Sequence, residues 1–339
     1  MGGASRLDRF QRRHRVIGFP LAVVYKFFDD QGNYLAAVVT YYAFVAIFPL
    51  LLLASSILGF VLQGNPELQQ QVLDSALATF PIVGDELGRP QGLQGSTGAV
   101  IGGALAALYG SLGLGQALQN VLATAWAVPR NSRPNPFRAR FKSLLFVFAA
   151  GAGVLAVSVF SALGSTTQVF GEGVDLTLRV LIVVGTVLVI GLVLTFLMRL
   201  ASARHHPIIA AAPGAFTIAV QWQLLQYLGT LYVQEALVGP TSLNTTFGLV
   251  LGLIGLIYIA SVMAILGVEV NVVLARRLWP RALLTPFTDA VDLTDADRRA
   301  YALYAQAQRH KGFETVAVRF DGRDGNTHEI VLAPEDEER

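Results

Sequence analysis

The polar side chains that stand out in this chain lie inside otherwise apolar stretches, where a hydrogen-bonding group has few partners. In the second such stretch, Tyr109, Gly113, Gln116 and Asn120 recur at i, i+4, i+7 and i+11, so they share one helix face, with Gln119 beside them. Amide and phenol groups at such positions either hydrogen-bond to a neighbouring helix or form the polar wall of a substrate path. The spacing leaves both interpretations open.

A second group of amides follows a candidate helix break. Gln221, Gln223 and Gln226 come after Pro213 and Gly214 in the fifth apolar stretch. A broken helix presents unpaired backbone groups, and such ends border the binding sites of many transporters. A simple kink at the proline is the structural alternative.

The last apolar stretch contains an acid, Glu269, and an amide, Asn271. Glu269 precedes Arg276 by roughly 10 Å along a helix axis, at ~1.5 Å per residue, which places it near one end of the helix. An ion pair with Arg199, Arg204 or the local arginines is the structural interpretation. A role in proton coupling is the functional one.

Signatures of enzymes are missing from the chain. There is no cysteine, no GxxxxGK[ST] phosphate loop and no GxSxG elbow. The adjacent pair His205 and His206 would point about 100° apart on a helix, with no Asp or Glu at metal-binding spacing beside it. We therefore expect no enzymatic activity, no cofactor and no metal. The arginine-rich segment 130–142 is explained by membrane topology, so we expect no nucleic-acid partner.

The composition is that of a polytopic membrane protein. Hydrophobic residues make up 53% of the 339 residues and charged residues only 14%, compared with roughly 25% charged in soluble domains. Several stretches exceed the roughly 20 apolar residues that a membrane-spanning helix needs. Pro49, inside the first of them, predicts a helix break within a bundle. The six predicted spans are about 35–62, 98–119, 143–163, 176–198, 208–232 and 247–275.

The basic residues orient these spans. The N-terminal segment, the second and fourth connections and the stretch just after the sixth span together contain sixteen Lys and Arg, and the other three connections contain two. Because basic residues accumulate on the cytoplasmic side, both termini are predicted to be cytoplasmic. Trp126 and Trp279 fall at predicted cytoplasmic span ends, where indole rings favour the interface.

Segments outside the spans predict two amphipathic helices at the membrane surface. In the basic N-terminal segment 1–34, Leu21, Val24, Tyr25 and Phe28 form an apolar stripe after Pro20, a favourable first helical position. Such a helix would lie on the membrane with its arginines near anionic headgroups, although a solvated charged tail is an alternative for residues 1–18. The second amphipathic helix is predicted in the external segment 63–97.

Residues 279–339 have the composition of a small soluble tail. Thr294 and Asp297 predict the start of a helix near 295–311, and two short runs, 313–320 and 327–332, predict a hairpin. The acidic end, 333–339, is expected to be disordered. About 50 residues bury little core alone, so the tail should dock on the membrane domain, residues 35–278, or on a partner.

Four segments carry a resemblance to a known family. They are Asp30 to Ala37 with the Tyr41-Tyr42 pair and Pro49; Gly115 to Asn120 leading to Trp126; Pro213 to Phe216 leading to Trp222; and Leu266 to Asn271. Together they cover about residues 20–278 and resemble the YihY or virulence factor BrkB family of bacterial inner-membrane proteins, which once carried the label ribonuclease BN. The chain has Val268 where the family often has alanine.

The resemblance implies an all-α protein of six transmembrane helices with both termini cytoplasmic, in the bacterial inner membrane. It also suggests that Tyr41, Tyr42 and Pro49 face the inside of the bundle. Our leading hypothesis is a transporter or flippase-like protein for an amphiphilic or lipid-like solute. The alternative is a non-transporting scaffold that recruits envelope or cell-surface partners through residues 285–339. Besides membrane lipids, an envelope protein or a second copy of the chain is the expected partner. Ribonuclease activity is the least expected function.

Overall fold

The protein is mostly helical, with one small antiparallel sheet near its C-terminus. The computed structural model describes residues 2–61, 97–165, 176–201, 208–236, 242–283, 285, 288, 291–321 and 327–333. The elements are α1 (Gly2–Arg13), α2 (Arg15–Asp29), α3 (Gly32–Val61), α4 (Thr97–Ala125), α5 (Pro136–Ser165), α6 (Leu176–Ala201), α7 (Ile208–Ala236), α8 (Ser242–Arg276), α9 (Asp295–Ala307), β1 (Val316–Asp321) and β2 (Thr327–Leu332).

The long helices α3 to α8 coincide with the six apolar stretches and form one bundle. Each packs against the next in chain order, and α8 returns to contact α3, which closes the bundle. Buried side chains of α4 and α8, among them Val121, Ile265 and Val272, form the centre of the core. Helix α4, which carries the polar face, therefore packs against α3 and α5, its neighbours in the sequence.

The outer surface of the bundle is strongly apolar. Among the described residues, Val183–Ala201 and Val250–Arg276 are long and apolar enough to cross a membrane, with a mean hydropathy of 2.4 each. Only 17% of the apolar segment in the first helix and 28% of that in the second are buried, so neither helix resembles the core helix of a soluble protein. On α6, the residues Leu181, Leu188 and Leu192 are at least half exposed on one face. Such a surface suits contact with lipid.

Helices α4 and α8 end in the same way. The N–H of Val128 bonds to the carbonyl of Ala123 at 2.8 Å, and Ala127 between them has a φ of 50°. At the end of α8, the N–H of Leu278 bonds to the carbonyl of Val273 at 3.1 Å, and Arg277 between them has a φ of 53°. This arrangement satisfies the last carbonyl groups of a helix and turns the chain sharply. The segment after α4 is thereby directed back over the end of the bundle.

The N-terminal segment differs from the sequence prediction. It contains two helices, and α2 begins at Arg15, so the prediction that Pro20 starts the helix is wrong: Pro20 lies inside α2. The predicted stripe is also divided, because Tyr25 is buried while Val24 and Phe28 are exposed. The reason is that α2 packs against α8, which buries one side of α2 and leaves the other exposed.

The C-terminal helix and hairpin occur where the sequence predicts them. Helix α9 starts with a capping box between Thr294 and Asp297, and it ends at Ala307, about one turn before the predicted end. Strands β1 and β2 pair antiparallel. The Arg299 guanidinium donates to the Arg277 carbonyl at 2.7 Å, so the tail docks on the end of α8. The predicted external helix, at 63–97, and the acidic end fall almost entirely outside the described residues.

Candidate functional site

The C-terminal half of α4 carries three amide side chains that meet the start of α5. The Gln119 amide donates to the carbonyl of Ala139 at 3.1 Å and to the Ser143 hydroxyl at 2.9 Å. Gly115 lies directly against buried Ser143, and a Cβ there would be 2.7 Å from the Ser143 Cβ. A glycine at this point therefore lets α4 and α5 approach closely enough for the Gln119 hydrogen bonds. For Gln119 the structural interpretation of the polar face is correct.

The chain between α4 and α5 brings an arginine back onto this face. The Arg133 guanidinium donates to the Asn120 side-chain oxygen at 3.2 Å and to the Val128 carbonyl at 3.4 Å. The sharp turn at the end of α4 makes this return possible, because it reverses the chain within a few residues. Both acceptors are neutral, so they leave the positive charge of Arg133 uncompensated.

A cavity of about 260 Å³ lies between these groups. It is smaller than the roughly 300–1,000 Å³ of typical ligand pockets, so its size suits one polar headgroup rather than an entire amphiphile. Exposed Gln116 and Asn120 keep it open to the exterior. Its polar lining consists of Gln116, Gln119, Asn120, Arg133 and Arg140.

The electrostatic surroundings of the cavity are positive. No Asp or Glu occurs between Glu86 and Glu172, and no salt bridge to Arg133 or Arg140 is found in the described part of the chain. Burial lowers the pKa of the Arg133 guanidinium, and neighbouring Arg130 lowers it further. An anion in the cavity would favour the charged form of Arg133 and so oppose both of these effects on its pKa. Among the described residues, the positive charge that lines the cavity thus has no acidic partner.

An exposed apolar stripe begins beside the cavity. Phe137, Phe141, Leu144 and Phe148 recur at i, i+4, i+7 and i+11 of α5, and all four are exposed, Phe137 to 80% and Phe141 to 69%. Arg140 lies between this stripe and the cavity-lining face of the same helix. A polar cavity and an apolar track thus adjoin each other, which is the arrangement that an amphiphile requires.

The tyrosines predicted to face inward are separated from the cavity. Tyr42 packs against Gly113, and its ring centroid lies 6.0 Å from that of Tyr109, which is exposed. Tyr41 is 56% exposed and lines an apolar groove between α3 and α8, so the prediction that it faces inward is wrong. Neighbouring residues on one helix point in different directions, and α4 occupies only the side of Tyr42.

The Pro213–Gly214 segment is a packing site and not a helix break. Helix α7 runs through Pro213 and Gly214, as α3 runs through Pro49, so the predicted breaks are wrong. Asn271 of α8 accepts a hydrogen bond from the Gly214 N–H at 2.6 Å and donates to the Ala211 carbonyl at 3.0 Å. The amide of Asn271 thereby bonds to backbone groups on both sides of Pro213. Asn271 holds α7 and α8 together.

The remaining candidates do not line the cavity. Gln221, Gln223 and Gln226 are half-buried on α7, and the Gln221 side-chain oxygen is buried without a hydrogen-bond partner within the described chain. Glu269 is fully buried at the other side of α8, with the Lys26 amine 3.6 Å from its carboxylate. Its charged neighbour is therefore a lysine of α2 and not one of the arginines that the sequence predicts. The structure thus brings together three of the eleven predicted path residues.

Sequence reasoning missed Arg133 and Arg140 as cavity residues because their segment was used only to orient the helices. The absence of acids from the surrounding 87–171 was an available signal. It also missed Lys26 and Asp30, although their i, i+4 spacing is that of a helical ion pair.

A family model described as Virulence factor BrkB matches residues 23–287. The match spans most of the chain, so the protein belongs to the virulence factor BrkB family, and the resemblance seen in the sequence is confirmed. The docked tail, from residue 288 onward, lies outside the match. No curated protein and no solved structure matches the chain. The family and the exposed apolar helices together indicate a membrane protein.

Proposed function

From this family membership, we propose that the protein is an inner-membrane protein that binds an anionic amphiphile, such as a phospholipid, and moves it between leaflets or shields its headgroup. In this proposal α3 to α8 all span the membrane, with both termini cytoplasmic. No enzymatic step is included. The observation that carries the proposal is the cationic cavity adjoining the exposed aromatic stripe of α5.

The charge distribution supports this orientation. The cavity lies where α4 ends and α5 begins, in the segment that contains Arg130, Arg133, Arg138, Arg140 and Lys142. Basic residues at span ends favour the cytoplasmic side, where anionic lipids also attract them. The cavity then lies at the headgroup level of the inner leaflet. Phe137 and Phe141 would meet the acyl chains directly beneath it.

The size of the cavity and its charge support an anionic headgroup. A guanidinium pair can bind a phosphate oxygen through short, charge-assisted hydrogen bonds, which contribute about 1.5–3 kcal/mol each. The amides of Gln116 and Asn120 would donate to further headgroup oxygens. A zwitterionic headgroup adds a cation beside Arg133 and Arg140, so it should bind more weakly.

Reconstitution tests the proposal. Full-length protein in liposomes would be assayed with fluorescent phosphatidylglycerol and fluorescent phosphatidylcholine, by following chemical quenching of the outer leaflet. We expect protein-dependent movement or protection of phosphatidylglycerol. Loss of one charge-assisted bond in Arg133→Gln or Arg140→Gln should reduce it about tenfold or more.

Arg138→Gln is the matched control, because Arg138 is an exposed arginine on α5 that does not line the cavity. Gln223→Ala serves as a second control, on α7. Unchanged phosphatidylglycerol behaviour with and without protein, together with wild-type behaviour of Gln116→Ala and Asn120→Ala, would refute the proposal. Equal loss in Arg138→Gln would show a surface-charge effect with no role for the cavity.

The scaffold alternative is favoured by the exposed hairpin. Phe313 before β1 is 82% exposed and Val331 of β2 is 58% exposed, so the hairpin offers apolar surface to a partner. Deletion of residues 313–339 is a sharper test than deletion of the entire tail, since α9 contributes to the core. Loss of an envelope phenotype with lipid movement intact would favour the scaffold.

A further inference from the structure

A buried ionic cluster joins α2, α8 and α9 at a site separate from the cavity. Lys26 is 1% exposed, and it contacts Asp30 in a short ion pair within the same turn. Its amine also lies 3.6 Å from Glu269 Oε2 of α8 and 5.1 Å from the Tyr304 ring centroid of α9. None of these residues lines the cavity.

The charges of this cluster do not balance if every group is ionised. One ammonium group, that of Lys26, faces two carboxyl groups, those of Asp30 and Glu269. Glu269 is 0% exposed, and neither of its carboxylate oxygens has a hydrogen-bond donor in the described part of the chain. A fully buried carboxylate without a donor costs several kcal/mol, so the anion is strongly disfavoured there.

Neighbouring groups do not supply the missing positive charge. Arg281 is committed to Asp29 at 3.0 Å and to Asp297, and the Tyr304 hydroxyl donates to Asp29 at 3.3 Å. The charged and titratable groups that face the cluster are Lys26, Asp29 and Asp30 from α2, Glu269 from α8, Arg281 from the segment after α8, and Asp297, Tyr301 and Tyr304 from α9.

We propose that Asp30 and Glu269 form a proton-binding site in which one proton is shared between the two carboxyl groups and Lys26 neutralises the remaining charge. A protonated carboxyl donates to its ionised neighbour, which gives the buried Glu269 the hydrogen bond that it otherwise lacks. Both carboxyl groups contact the same Lys26 amine, which holds them beside each other. Binding adds one proton to the pair, and release leaves two anions facing one lysine.

The environment of Asp30 agrees with this proposal. Burial raises the pKa of the Asp30 carboxyl, an effect that Lys26 opposes only in part. A carboxyl with a raised pKa stabilises the fold fully below its unfolded-state pKa, and this stabilisation is lost as pH rises through the folded-state pKa. Deprotonation should therefore loosen the contact between α2 and α8 as pH rises through the folded-state pKa.

Infrared spectroscopy of the full-length protein in lipid nanodiscs tests the site. At neutral pH, exposed carboxyl groups are ionised, so the C=O stretching band of a protonated carboxyl reports a buried acid. We expect this band in the wild-type protein and its loss in both Glu269→Gln and Asp30→Asn, because either change leaves one carboxylate paired with Lys26. Glu329→Gln, at an exposed position of β2, should keep the band.

A second measurement covers the case in which a variant fails to fold. Raising the pH should remove the band from the wild-type protein and lower its thermal stability, whereas Glu269→Gln should lose this pH dependence. Absence of the band from wild-type protein at neutral pH would overturn the proposal. The proposal would also be overturned if the band persisted in both Glu269→Gln and Asp30→Asn, or if wild-type and Glu269→Gln stability profiles ran parallel.

Discussion

The contact between α7 and α8 allows one prediction to be worked out in detail. Gly214 lies against α8, and a Cβ built on it would overlap the carbonyl oxygen of Gly267 and stand 2.6 Å from the Asn271 Nδ2. A backbone carbonyl cannot rotate away as a flexible side chain can. Gly214→Ala must therefore push α7 and α8 apart.

The magnitude follows from three contributions. Forcing an extra methyl group into a packed contact costs about 1–3 kcal/mol. Separation of the helices also weakens the two hydrogen bonds of Asn271, each worth about 0.5–1.5 kcal/mol. Alanine regains about 1 kcal/mol through its higher helix propensity. We expect Gly214→Ala to destabilise the protein by about 2–4 kcal/mol.

Gly255→Ala is the matched control for this prediction. It makes the same chemical change inside α8, but nothing lies within 4 Å of the added Cβ. It should be neutral or stabilise the protein by about 0.4–1 kcal/mol. Denaturation of both variants in the same detergent or bilayer, followed by circular dichroism, measures the difference. Equal stability of the two variants would refute the close approach of α7 and α8.

Three further predictions concern two helix ends and the contact of α1 with the segment after α8. Thr294→Ala removes the hydroxyl that accepts from the Asp297 N–H at 3.1 Å, and should cost about 1 kcal/mol in thermal denaturation. Ala127→Gly relieves a positive φ that costs an L-residue about 1–2 kcal/mol, so denaturation should show a more stable protein, and a less stable one would contradict the turn. Burial raises the pKa of the Asp8 carboxyl, but hydrogen bonds, led by that from the Leu283 N–H, lower it by more, so its pKa is lowered overall. The stability that this carboxylate contributes is lost as pH falls through its folded-state pKa, so acid should release α1. Hydrogen exchange should show this step in the wild-type protein and no such step in Asp8→Asn.

The candidate site was only partly predictable from the sequence. The helical spacing of Gln116, Gln119 and Asn120 was sufficient to place them on one face, since periodicity is fixed by the backbone of a single helix. It could not show that, of these three cavity-lining residues, Gln119 also holds α5 through hydrogen bonds. That distinction depends on where the neighbouring helix lies.

The same limit explains the predictions that were wrong. Pro213 and Pro49 were predicted to break their helices because a proline removes a backbone hydrogen bond. At Pro213, hydrogen bonds with Asn271, which is distant in sequence, hold the backbone on both sides of the proline. Tyr41 and Tyr42 are adjacent in the chain, yet only packing against α4 decides that Tyr42 is covered and Tyr41 is not.

The sequence by itself determined the positions of the six long helices α3 to α8, the bias of basic residues, the capped tail helix and the hairpin. These features depend on hydropathy, local hydrogen bonds and turn chemistry within a few residues. The tertiary structure alone decided which charges meet, as where Arg281 reaches Asp29 across 252 residues of sequence. It also decided that Lys26 faces two carboxyl groups and that Arg133 faces none among the residues that the structure describes. The partner of a charged side chain affects stability mainly when the pair is buried, because an unpaired charge costs free energy where water is excluded.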